Sequence, residues 1–149
     1  MKYGFPHITH VDQVKAAIEG REEFVIKVDG EVGYIVINYL VNFEDTFPPV
    51  ETDAHALLRE CRGITFDIDS GEVIARKFHK FFNLNERPET QYDIVDFTQP
   101  HVVLEKLDGS MITPMMVDGQ VRFCTKMGLT EIAKQIDNFA KDKMHIHQM

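Results

Sequence analysis

Cysteine is scarce in this chain: of 149 residues only Cys61 and Cys124 are thiols. Two cysteines cannot build the framework of a disulfide scaffold, so a reducing, cytoplasmic setting is expected. Long apolar runs are missing as well. None approaches the roughly 20 residues needed to cross a bilayer, and the first ten residues, MKYGFPHITH, lack the apolar stretch of a secretory signal. The chain has no internal repeat, no low-complexity tract and no linker rich in Gly, Ser or Pro. Positive charge is the fourth shortage. Sixteen Lys and Arg face 24 Asp and Glu, a formal charge of −8. A surface this acidic argues against nonspecific coating of nucleic acid, which depends on neutralising phosphates.

What is present describes a globular chain. Hydrophobic residues make up 44% and charged residues 27%, near the averages for folded domains. The length suits one compact domain, or one portion of a larger enzyme. The cations are unevenly placed. Residues 1–58 carry four Lys/Arg against ten Asp/Glu, and residues 59–149 carry twelve against fourteen. An anion site is therefore expected in the second part.

Periodicity divides the chain into hairpins with a helix at each end. Val11, Val14, Ala17 and Ile18 recur at helical spacing, with Thr9 as the expected N-cap and Gly20 at the C-terminus, so a helix is predicted over about 10–20. Phe24 to Val28, the pair Asp29-Gly30, and Val32 to Val41 read as strand, turn and strand. Residues 42–53 read as a loop and 54–60 as a short helix. A second hairpin is predicted from Ile64 to Arg76. A third unit combines a strand at Val102 to Lys106 with strands at Met111 to Val117 and Gln120 to Thr125. Ile132, Ala133, Ile136, Phe139 and Ala140 return to a helical period, with Thr130 as N-cap. The predicted class is α+β, antiparallel sheets flanked by helices.

Four strings carry chemistry. Lys106-Leu107-Asp108-Gly109 has the pattern K-x-D-G, which alone is weak, since Lys27-Val28-Asp29-Gly30 repeats it at an ordinary strand end and turn. Around Lys106, however, stand Glu60-Cys61-Arg62-Gly63 upstream, Lys77-Phe78-His79-Lys80-Phe81-Phe82-Asn83-Leu84-Asn85-Glu86 between them, and Arg122-Phe123-Cys124-Thr125-Lys126 downstream. No helix or strand period requires the run KFFNLNE. In order and content these strings, from about Gly33 to about Gly128, resemble the ATP-dependent RNA ligase 1 family of T4-like phages. That family belongs with DNA ligases and mRNA capping enzymes among the covalent nucleotidyltransferases.

The resemblance implies a partial adenylation domain over residues 1–149, with ATP as substrate and Mg²⁺ as cofactor. Lys106 matches the motif I nucleophile that carries AMP as a phosphoramidate, and Glu105 beside it matches a residue lining the adenylate pocket. Arg62, Lys80, Phe82 and Lys126 match residues that contact ATP, and Tyr39 matches an N-terminal tyrosine near the nucleotide. The implied partners are RNA ends, a 5′-phosphate and a 3′-OH, with tRNA repair in phage-infected bacteria as the implied setting. The residue types suit the task. A free lysine is almost wholly protonated at pH 7, and nearby cations or desolvation must lower its pKa before it attacks.

The family pattern also has motifs III, IV and V, which are absent before Met149. A second chain or a missing C-terminal part would have to supply them. Cys124 stands where relatives often carry a second motif Ia lysine. Two other readings stay open: a nucleotide-binding remnant without catalysis, and an RNA-binding accessory module. Phe78 and Phe81 are expected to cover the core, and His79 to lie at the surface. His145-x-His147 is too few ligands for a zinc site, so no metal site is expected among the seven histidines.

Overall fold

Alternation in one strand organises the fold. The computed structural model describes residues 4–144. Strand β2 (Tyr34–Tyr39) lies second in a four-stranded antiparallel sheet of order β1-β2-β3-β4, with β1 at Phe24–Asp29, β3 at Arg62–Asp67 and β4 at Val73–Ala75. Five of its six residues are buried, because both faces are covered. Ile35 and Ile37 point to a core shared with helix α1 (Val11–Ile18) and helix α2 (Asp53–Glu60), through Val14, Leu58, Ile64 and Phe66. Tyr34 and Val36 point the other way, onto Met115, Val117 and Cys124 of a two-stranded ribbon, β5 (Thr113–Val117) and β6 (Gln120–Cys124). A strand covered on two sides reads as a continuous apolar run. Edge strand β1 instead leaves Ile26 and Val28 exposed.

The helices agree with their periods. Thr130 caps helix α3 (Glu131–Phe139) by accepting from the Ala133 amide, and the chain continues through one π-helical turn, Ala140–Met144. Asp137, almost fully buried, accepts from Arg122 Nε at 2.5 Å and from the Phe123 amide at 2.8 Å. That carboxylate ties α3 to β6. At α1 the expected cap moves by one residue. His10, not Thr9, accepts from the Asp12 amide, while Thr9 donates its hydroxyl to Gln13.

Two further expectations are corrected. Residues 101–112 contain no strand. Val102, Val103, Leu104 and Leu107 are between 78% and 87% exposed. The run has β-forming composition but no neighbouring strand to complete a ladder, and propensity without a partner does not hold a strand. Exposure there forgoes roughly 1.5–3 kcal/mol per apolar side chain relative to full burial. Phe78 and Phe81 do not cover the core either, being 66% and 58% exposed. The segment 76–83 is irregular, so no period turns these rings inward. The tail histidines His145 and His147 lie outside the described residues.

Candidate nucleotide site

A bulge sets the site. The register between β2 and β3 shifts after Ile37, which faces Ile64, so that Asn38 faces Arg62 and Gly63 is left over. Gly63 has φ +91°, and a Cβ on it would lie 2.5 Å from the Lys126 carbonyl oxygen and 2.6 Å from its Cα. Glycine is therefore required twice over, by the backbone conformation and by the close approach. The approaching segment is the turn 125–128, closed by reciprocal hydrogen bonds between Thr125 and Gly128. It is anchored by Tyr34 Oη, which accepts from the Leu129 amide at 3.1 Å. Asn38 meets it from below, with Nδ2 2.8 Å from Met127 Sδ. The bulge thus brings Arg62 and Lys126, 64 positions apart, to one place.

Lys80 arrives from another direction. Its amide donates to the Arg59 carbonyl at 2.7 Å, at the end of α2. Its ammonium lies 4.8 Å from the Phe82 ring centroid, 5.7 Å from Tyr39 and 6.0 Å from Phe47. Lys126 Nζ is likewise 5.7 Å from the Tyr39 centroid. Tyr39, half-buried at the end of β2, stands edge-on to buried Phe47 at 5.1 Å. Two ammonium groups therefore share one aromatic ring, each at a distance where the ring quadrupole attracts a cation.

Charge pairing separates these cations from several others. Arg59 pairs with Glu89, Arg76 with Glu60 and Arg122 with Asp137. Among the described residues Arg62, Lys80 and Lys126 have no carboxylate within ion-pair distance. Arg62 donates only a long bond, 3.4 Å, to the Phe78 carbonyl and covers the Phe81 ring at 5.4 Å. A cleft of about 460 Å³ opens beside it, lined by Arg62, Thr125, Lys126 and Met127 on one side and by Gly109, Ser110 and Met111 on the other. That volume lies in the range of small-ligand sites.

Tyr39, Arg62, Lys80, Phe82 and Lys126 are thus linked through shared contacts, Lys80 and Lys126 at Tyr39, Lys80 at Phe82, and Arg62 with Lys126 at the cleft. Lys106 and Glu105 are not. The Lys106 side chain is 88% exposed and its ammonium pairs with Asp108 at 3.1 Å. Glu105 is exposed too. Only the end of their loop, Gly109 to Met111, reaches the cleft. The decoy Lys27 sits in β1, and Asp29 forms the turn after it, accepting from the Val32 amide.

Two supporting residues escaped the sequence reading. Lys77 is buried and donates to the Gly63 carbonyl and, at 2.9 Å, to Thr65 Oγ1. It holds the bulge through the Gly63 carbonyl. Burial pushes its ammonium below the ordinary lysine value, with the neighbouring Cys124 thiol acting in the opposite sense, while burial pushes that thiol up. Lysines are almost never buried, so sequence alone offers no signal for it. Phe47 is 1% exposed inside a stretch otherwise rich in acids and prolines, where no periodicity marks it. His79 is half-buried rather than at the surface, edge-on to Phe5, and burial lowers its pKa.

The comparisons with known proteins bear on the same strings. A family model described as RNA ligase matches residues 60–148. The chain belongs to this RNA ligase family. A protein of Thermovibrio ammonificans whose name places it with the RNA ligases is 41% identical over 109 residues, covering 73% of this chain and 26% of that protein. RNA ligase 1 of bacteriophage TS2126 is 32% identical over 110 residues, 71% of this chain and 26% of the phage enzyme. The RNA ligase chain described here therefore spans about a quarter of the length of these curated relatives. No helix among the described residues is long and apolar enough to cross a membrane.

Proposed function

We propose that the chain is the nucleotide-binding part of an ATP-dependent RNA ligase and that Lys106 is its nucleophile. The observation that carries the reading is the gathering of Arg62, Lys80 and Lys126, free of carboxylates, around Tyr39 and a cleft bordered by the Lys106 loop. Unpaired cations in a partly enclosed site suit a polyphosphate. The Phe82 and Tyr39 rings give the cluster an apolar floor. No group of three or more His, Cys, Asp or Glu among the described residues is placed to hold a metal ion. Mg²⁺ would therefore enter on the triphosphate, as it commonly does.

In the proposed reaction the Lys106 amine loses a proton and attacks the α-phosphorus of ATP. An N–P bond forms, the P–O bond to pyrophosphate breaks, and pyrophosphate leaves. An RNA 5′-phosphate oxygen then takes the AMP from the lysine, and a 3′-OH displaces AMP to seal the strand. Broken tRNA is the proposed natural substrate. Arg62, Lys80 and Lys126 would bind and orient the phosphates and stabilise charge on the departing pyrophosphate.

Equilibrium binding of ATP·Mg²⁺ tests the site. Arg62→Ala, Lys80→Ala and Lys126→Ala should each weaken it about tenfold, about 1.4 kcal/mol, and Lys27→Ala should not. Binding that ignores all three changes would reject the site. The covalent step is read with α-labelled ATP, the label mapping to Lys106. A second reading, nucleotide binding without adenylation by this chain alone, is favoured by the 88% exposure of Lys106.

A further inference from the structure

The loop 42–48 follows β2, and arginines hold its backbone. Five of its carbonyls accept from a guanidinium. Arg87 donates to Glu44 at 2.6 Å and to Phe43 at 3.3 Å, Arg21 to Asp45 at 2.9 Å and to Thr46 at 3.1 Å, and Arg59 to Pro48 at 3.1 Å. Among the described residues one backbone hydrogen bond closes within the loop, from the Thr46 amide to the Phe43 carbonyl at 3.4 Å. What the loop delivers is Phe47. That ring is 1% exposed and stands edge-on to Tyr39 at 5.1 Å and to Phe82 at 6.3 Å.

The three arginines are not equivalent. Arg21 is paired with Glu23 and Arg59 with Glu89, so their charge is balanced. Arg87 has no carboxylate within ion-pair distance among the described residues. It also stands over Phe82, with Cζ 4.8 Å from the ring centroid, and Lys80 Nζ lies at the same 4.8 Å from that ring. The turn Pro88–Thr90 fixes its backbone: the Arg87 amide donates to Thr90 Oγ1 at 3.0 Å, and its carbonyl accepts from the Gln91 side chain at 3.0 Å. Nη1 and Nη2 are engaged by loop oxygens and Nε is buried. A phosphate could reach them only by breaking the loop contacts. Arg87 is therefore placed to act on the loop and the ring, not on a ligand.

We propose that Arg87 is a positioning residue of the nucleotide site, a clip that ties the 42–44 backbone to the Phe82 ring and so keeps Phe47 seated under Tyr39 and the Lys80 ammonium in place for a polyphosphate. The inference rests on the ligase reading above for the identity of the ligand. The task needs a guanidinium. Its planar fork reaches two carbonyls and, at 3.4 Å, Asn42 Oδ1, while it stands over Phe82. A lysine at this position would carry the same charge but neither the fork nor the flat face. Loss of the clip frees the start of the loop, and with it the ring wall against which the Lys80 ammonium stands. A cation that its ligand must first order binds that ligand less tightly than one already held.

The test uses the full chain with isotope-labelled lysine, and its first arm needs no ligand. Ring currents from Phe82 and Tyr39 should place the Lys80 ε-methylene signal upfield of that of exposed Lys27, the signal being assigned by its loss in Lys80→Met. In Arg87→Met and in Arg87→Lys it should move to the Lys27 position while far-ultraviolet dichroism is unchanged. In the second arm each variant should weaken ATP·Mg²⁺ binding about fivefold, within the range of couplings between residues in contact. Arg87→Met should add no further loss in a Lys80→Met background. An unmoved Lys80 signal in Arg87→Met would overturn the proposal. Wild-type affinity in Arg87→Lys would overturn it too, since charge and not the clip would then be the cause. So would a loss that persists in full beside Lys80→Met, which would mean direct contact with the ligand. Where Arg87→Met does not fold, Arg87→Lys carries both arms. A Lys80 signal that moves with Arg87 in a chain whose wild type binds no ATP supports the clip and removes the ligase reading instead.

Discussion

Two regions whose lysines, Lys106 and Lys126, stand 20 residues apart in sequence differ in how they are held. The turn 125–128 is clamped by Gly63, Tyr34 and Asn38, and the cation it carries, Lys126, stands in a fixed place beside Tyr39. The segment 101–112 touches little, and the cation it carries points into water. The difference separates two tasks. The groups proposed to bind an anion are held by the sheet and the segments packed on it, so they are in place before a ligand arrives. The group proposed to react lies on an exposed loop, paired only with Asp108.

Changes on either side should show opposite signatures. The largest effect is expected from Lys106→Ala, which should remove the AMP adduct entirely yet leave the urea midpoint within about 0.5 kcal/mol of wild type, because the side chain supports nothing. Mass spectrometry after incubation with ATP and Mg²⁺ reads the first, equilibrium unfolding the second. Gly63→Val should do the reverse. The new side chain meets the Lys126 backbone at a positive φ, so a loss of roughly 3 kcal/mol is expected, with nucleotide binding lost through displacement of Lys126. Gly109→Ala, where space is open, should cost only about 1 kcal/mol by the same unfolding assay. Equal costs at the two glycines would break the contrast.

The next effect is smaller and confined to binding. Lys80→Met keeps the aliphatic length over Phe82 and Tyr39 but removes the charge, so ATP affinity should fall about tenfold, roughly 1.4 kcal/mol, with stability unchanged. Isothermal titration distinguishes this from unfolding. The smallest effect concerns the turn after β3. The Ser70 amide and hydroxyl, with the Asp69 amide, donate to Asp67 and hold its carboxyl below the usual aspartate range. A depressed folded pKa contributes stability above the unfolded value near 4 and loses it as pH falls through the folded one. The gap in melting temperature between wild type and Asp67→Asn should be constant above about pH 5 and shrink steadily below pH 4.

Much of the fold was legible because its signals are local. Asp29-Gly30, Ser70-Gly71 and Asp118-Gly119 each close a hairpin between apolar runs, and α1, α2 and α3 follow their periods to within two residues. Val102 to Lys106 was misread because a strand is a relation between segments, and composition reports only one of them. Arg62, Lys80 and Lys126 could be singled out through the strings around them, but their convergence could not. It depends on a one-residue register shift at Gly63 and on Phe47 packing under Tyr39, neither of which leaves a periodic trace. Lys77 was invisible for a further reason: it violates the expectation that lysines face water.

The leftover glycine in β3 has a cost and a use. A straight strand would gain a regular ladder and a stiffer sheet, yet it would push the turn bearing Lys126 away and part the two cations. Changes that straighten the strand at that point should therefore weaken the proposed hold on a polyphosphate, because Arg62 and Lys126 would no longer face one cleft.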